Sequence, residues 1–86
     1  MMIEEIEEKL KHKFPNAYFG ENSGLPFVAV PVEDFSTTLH VVEKVLNTLD
    51  SLGVQLPILL DLKNNFVEIR YAITAEQREI ITIATN

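Results

Sequence analysis

The sequence has no cysteine and no tryptophan among its 86 residues, and it has only two histidines. Without thiols it can form no disulfide framework, thiolate zinc site, iron–sulfur cluster or cysteine nucleophile. Basic residues are sparse: seven Lys and Arg against thirteen Asp and Glu leave a formal charge of −6. Nucleic acid is held mainly through clustered Lys and Arg, so scattered bases on an acidic chain exclude a general phosphate binder. No apolar run reaches the roughly 18–20 residues that span a bilayer. Met1-Met2-Ile3-Glu4-Glu5 lacks the basic and apolar regions of a secretion signal. The expectation is a cytoplasmic chain without direct membrane insertion, peripheral to a membrane only through a complex.

What is present fits one globular domain over residues 1–86. At 47% hydrophobic and 23% charged, the chain is too apolar for disorder. Ile3, Ile6 and Leu10 recur at helical spacing, which predicts a helix over Ile3 to Lys13. Glu4, Glu5, Glu7 and Glu8 precede Lys9, Lys11 and Lys13, an order that complements the helix dipole. Pro15 ends the helix, because the residue before a proline is pushed out of helical geometry. Ala17 to Phe19 reads as a short strand, Gly20 to Gly24 as a turn, and Leu25 to Val32 as a second strand apolar on both faces. Pro26 and Pro31 lack amide donors and belong at strand ends or on an edge.

A longer helix is expected from Glu33 to Leu52. Phe35, Leu39, Val42, Leu46 and Leu49 form its apolar stripe, widened by Val45 and Leu52, and Gly53 stops it. That stripe is the expected core face, with a coiled coil as the alternative use of the pattern. Leu56 to Leu62 is nearly continuous in apolar residues, the mark of a strand buried on both faces. Lys63-Asn64-Asn65 is turn chemistry. Phe66 to Ile73 alternates, with Val67, Ile69, Tyr71 and Ile73 on one side and Glu68 and Arg70 on the other. Thr74 to Arg78 reads as a loop. Glu79 to Thr85, with three isoleucines and two threonines, reads as a last strand. A short helix over Ala75 to Ala84 is the alternative. The expected order is α-β-β-α-β-β-β, an α+β two-layer sandwich with two helices on one face of a mostly antiparallel sheet.

The residues that could carry chemistry are few. Two histidines far apart make no metal site, and no cofactor is expected. Ser36, His40 and Glu43 fall within helical reach of one another, but three groups on one helix face rarely converge on a substrate. Asp61 interrupts an apolar strand, which points to strand-end exposure, a bond to the Asn64-Asn65 turn, or an interface. Gly20-Glu21-Asn22-Ser23-Gly24 lacks the lysine and spacing of a phosphate loop. No catalytic residue is expected. What remains is surface: Phe27, Asp61, Phe66, Glu68 and Arg70 are the candidate interface residues, with Ile80 or Ile81 also on the sheet side away from the helices. Such a face serves a protein partner. Homo-oligomerisation through a sheet edge is the other use.

Four pieces together resemble a known family. They are Lys13-Phe14-Pro15, Val30-Pro31-Val32-Glu33-Asp34-Phe35, Leu59-Leu60-Asp61-Leu62 and Val67-Glu68-Ile69-Arg70-Tyr71, with Glu79 to Ala84 as the return strand. Over about Ile3 to Thr85 the chain resembles the N-terminal domain of the thirty-kilodalton hydrophilic subunit of respiratory complex I and its counterparts in energy-converting hydrogenases. The family's connection after the aspartate strand is longer than Lys63-Asn64-Asn65, and its downstream segment rich in Glu, Asp, Gly and Arg does not occur in these 86 residues. The resemblance implies a minimal, cofactor-free accessory or structural subunit that holds redox subunits together in a complex I-like or hydrogenase-like electron-transfer assembly. It carries over no catalytic residue. A stand-alone acidic inhibitor, immunity or regulatory protein is the other reading, since an acidic surface speeds encounter with a basic partner. A small enzyme would need a concave pocket with convergent polar groups.

Overall fold

The computed structural model describes residues 2–85. The elements run α1 (Ile3–Lys13), β1 (Tyr18–Asn22), β2 (Leu25–Pro31), α2 (Phe35–Ser51), β3 (Leu59–Leu62), β4 (Phe66–Arg70) and α3 (Ala75–Thr85). The strands form one antiparallel sheet in the order β1-β2-β4-β3. The class is α+β, as the sequence indicates, and the first six elements follow the expected order. The chain leaves β2, crosses through α2 to the far edge at β3, and returns by a tight hairpin to place β4 in the middle. β2 and β3 therefore run parallel, with β4 inserted between them.

Parity along the strands decides what is buried. Val28 and Val30 of β2 and Val67 and Ile69 of β4 point to one face and meet Ile6 and Leu10 of α1 and Val41, Val45 and Leu49 of α2. Tyr71 completes this core. Lys11 Nζ donates to the carbonyl of Ala17 at 3.1 Å, which pins the chain as it turns from α1 towards β1. The two prolines of β2 stand where a donor is least missed. Pro31 is the final strand residue, beyond the reach of β1, and Pro26 is near the start.

The helix ends follow side-chain and glycine chemistry. Asp34 is the N-cap of α2: its Oδ1 accepts from the Thr37 amide at 2.7 Å. At the other end Gly53 adopts φ 82°. Its amide donates to Asp50 and that of Val54 to Leu49, which closes a Schellman motif.

Several expectations are corrected. β1 runs through Gly20, Glu21 and Asn22, and the turn shrinks to Ser23 and Gly24. Both have positive φ, 56° and 83°, as a mirror-image hairpin turn requires. β3 is not a strand buried on both faces: it spans Leu59–Leu62 on the sheet edge, and Leu56, Leu60 and Leu62 are exposed. The core stripe of α2 is rotated from the expected one. Val41, Val45, Thr48 and Leu49 face inward, while Phe35 and Leu39 are exposed and Leu46 is half-buried. The apolar band of α2 is wider than the face the sheet can cover.

The last element is a helix, not a strand, so the order is α-β-β-α-β-β-α. A reciprocal capping box sets it: the Gln77 amide donates to Thr74 Oγ1 at 3.1 Å, while Gln77 Oε1 accepts from the amides of Ile73 and Thr74. Thr82 and Thr85 turn their hydroxyls back onto the carbonyls of Arg78 and Ile81, so they sit within the helix without an unmet donor. α3 also adds a third layer. Its Ile81 is fully buried against Leu25 and Ala72, with Leu59 packed alongside, all of the opposite parity to the main core. It covers one end of the second sheet face, a face left bare in the expected two-helix arrangement.

Candidate functional site: the second face of the sheet

The five candidate interface residues share a face. Phe27 stands opposite Arg70, Asp61 opposite Glu68, and Phe66 opposite Pro31. Phe27, Asp61, Phe66, Glu68 and Arg70 thus project from three adjacent strands to the side away from α1 and α2. α3 leaves the Phe66 end of this face open. Tyr18, Phe27, Ala29, Pro31, Asn65, Phe66 and Glu68 line a shallow groove there of about 450 Å³.

Gly20 shapes that groove. It stands opposite Phe27, and a Cβ at Gly20 would come within 2.9 Å of Phe27 Cζ. The aromatic ring lies over the bare glycine backbone. Tyr18, 69% exposed, forms the outer wall. From sequence, Gly20 belongs to a turn and Tyr18 to the core and edge aromatics, and neither is among the candidate interface residues. Their signal is the pairing of a glycine with an aromatic residue across a hairpin, which appears only once the register is known.

Beside the apolar groove lies a row of charge. Glu68 is 8% exposed, an unusual depth for a carboxylate. Arg70 Nε lies 3.1 Å from Glu68 Oε2, and Asn22 Nδ2 donates to the same oxygen at 3.2 Å. The Nε–H does not point at the carboxylate, so the contact is an ion pair without a hydrogen bond. Arg70 Nη2 reaches Asp61 Oδ2 at 3.7 Å, and Lys63 Nζ reaches it at 2.9 Å. Asp61 is thus held by two cations rather than by the Asn64-Asn65 turn. The charges alternate along Lys63–Asp61–Arg70–Glu68.

Other sequence candidates stay apart from this face. Ser36, His40 and Glu43 are exposed on α2. Among the described residues no group of three or more His, Asp or Glu is placed to hold a metal ion. No helix among them is long and apolar enough to cross a membrane. The remaining titrating group with a large shift is Tyr71, whose phenol is pushed well above its ordinary range by burial and, secondarily, by the Glu7 carboxylate. It lies in the core, on the other side of the sheet. In comparisons with known proteins, no family model, no curated protein and no solved structure matches the chain.

Proposed function

We propose that this chain acts by protein contact, as a cofactor-free accessory or structural domain. The partner class that its sequence resemblance implies is the redox subunits of a complex I-like or hydrogenase-like assembly. One observation carries the contact reading. Five residues chosen from sequence converge on one sheet face, where an aromatic groove adjoins a row of alternating charge. Exposed aromatic and Arg side chains with a polar surround are the usual anchors of protein interfaces.

Pull-down from native extract tests this reading. Wild type retains a partner, and Tyr18→Asp and Phe66→Asp release it, while Glu76→Gln on α3 does not. Mass spectrometry then identifies the retained protein. Recovery of redox subunits supports the accessory role. Retention unaffected by either aromatic substitution refutes the surface. The charge of −6 favours a second reading, a stand-alone acidic module for a basic partner. That reading expects one basic protein, released as salt rises.

A further inference from the structure

A second apolar surface lies on the helix-bearing side, at the free edge of the sheet. Leu60 and Leu62 pair with Ile69 and Val67, so their side chains leave β3 towards the helix layer. They remain 45% and 55% exposed. Phe35 and Leu39 of α2 are 70% and 54% exposed. Phe35 shares a cleft of about 240 Å³ with Leu62 and Lys63. Leu46 shares another with Leu56 and Ile58. The outer band of α2 and the edge strand thus present an interrupted strip of exposed apolar side chains bordering two clefts.

The backbone beside that strip is also open. The Lys63 amide donates to Phe66, so the odd-numbered residues of β3 turn their backbone groups to β4. Leu60 and Leu62 turn theirs outward, an edge ready to pair with another strand. The opposite edge, β1, carries Gly20, Glu21 and Asn22 and offers no comparable aliphatic strip among the described residues.

We propose that a second copy of this chain pairs with this edge, β3 against β3 and antiparallel, about a two-fold axis at Leu62. The neighbouring Asp61 and Lys63, an ion pair within the chain, make the edge locally self-complementary and select the register. A two-fold axis normal to the sheet sets residues of equal parity opposite one another, which leaves axes at Leu60, Asp61 or Leu62. An axis at Asp61 places that carboxylate against its own copy in a close pair, which is destabilising. An axis at Leu60 sets Asp61 against the aliphatic Leu59, with no opposite charge to meet the carboxylate. An axis at Leu62 sets Asp61 opposite Lys63 of the second copy, and Lys63 opposite its Asp61. The cross-strand ion pairs are then symmetric, Leu62 meets its copy, and Phe35 from each chain closes over the axis. Such an interface is self-complementary and stops at two copies. It uses the edge, the helix side and Asp61 at the rim of the second face, while the groove of Tyr18, Phe27 and Phe66 stays open in the dimer.

The natural lack of cysteine makes single cysteines a direct probe of register. Residues on the axis form a hydrogen-bonded pair with Cα atoms about 5.5 Å apart, inside the roughly 4.4–6.8 Å a disulfide spans. Under mild oxidation Leu62→Cys should form a covalent dimer an order of magnitude faster than Leu60→Cys or Asp61→Cys. Sedimentation equilibrium of wild type should give twice the chain mass of 9.8 kDa. Leu62→Lys should halve that mass and keep the circular dichroism spectrum of wild type, because position 62 is exposed on an edge. A monomeric wild type at high micromolar concentration overturns the proposal. So does fastest crosslinking at position 60 or 61, or a Leu62→Lys protein that remains a dimer.

Discussion

Glu68 and Arg70, two residues apart on β4, hold each other beside the open sheet face at 3.1 Å from Nε to Oε2. Glu68 is the more buried partner, and Asn22 is its second support. Removing Arg70 leaves a nearly buried carboxylate with one neutral donor. Arg70→Ala should therefore destabilise the fold by about 1.5–3 kcal/mol, as for loss of a charged contact. Asp61→Ala should cost under about 1 kcal/mol, because Asp61 and Lys63 are solvent-exposed. Urea denaturation of both variants checks the ranking, and equal losses would mean that Glu68 is solvated.

The Asp34 cap makes part of the stability depend on acid. The Thr37 amide, and then its side chain, hold the Asp34 carboxyl below its ordinary value of 3.8. A carboxyl with a lowered folded value stabilises above its unfolded value and loses that contribution as pH falls through the folded one. Asp34→Ala should lower the melting temperature at neutral pH, and the gap to wild type should narrow once the pH drops below 3.8. Asp34→Asn keeps a capping oxygen and should melt near wild type while losing the acid-dependent part. A gap that is constant with pH would show that the charge plays no role.

Tyr71 is fully buried, and among the described residues its hydroxyl has no hydrogen-bond partner. An unmet buried polar group destabilises, so removing it while keeping the ring relieves the fold. Tyr71→Phe should raise stability by about 1 kcal/mol in denaturant titration. A comparable loss instead would reveal a bond that the hydroxyl makes in solution.

The capping box of α3 gives a local test of the element that periodicity misjudged. Gln77→Ala removes the acceptor for the Ile73 and Thr74 amides. It should lower helicity and stability by about 0.5–1.5 kcal/mol, whereas Gln77→Glu should keep the box. Equal loss in both would place the effect elsewhere.

These elements mark what the sequence reveals. α1, α2 and β4 are legible as elements because their apolar residues recur at helix or strand spacing, and β2 because its run is apolar on both faces. α3 is obscured by its isoleucines and threonines, whose strand preference is overridden by the Thr74–Gln77 box and by burial of Ile81. The shared face of Phe27, Asp61, Phe66, Glu68 and Arg70 follows partly from strand parity. That Asp61 lies opposite Glu68, or Gly20 under Phe27, depends on register between distant strands, which no local pattern contains.

The facing of α2 is the sharpest case, since its apolar residues occupy more of the helix than one core can use. Periodicity chooses Phe35, Leu39, Val42, Leu46 and Leu49 as the buried stripe. Truncation of Phe35 or Leu46 would then remove a few kcal/mol. The packed structure turns the helix so that Leu49 is 2% exposed and Phe35 is 70% exposed. Leu49→Ala removes side-chain atoms from a filled core and should cost about 2–5 kcal/mol. Phe35→Ala removes atoms that water already touches and should change the stability of the isolated chain by no more than about 0.5 kcal/mol. Thermal melts in dilute solution, where pairing through β3 adds little, separate the two. Should Phe35→Ala melt as early as Leu49→Ala, the helix faces the sheet along the periodic stripe, and the exposed strip beside β3 is lost with it.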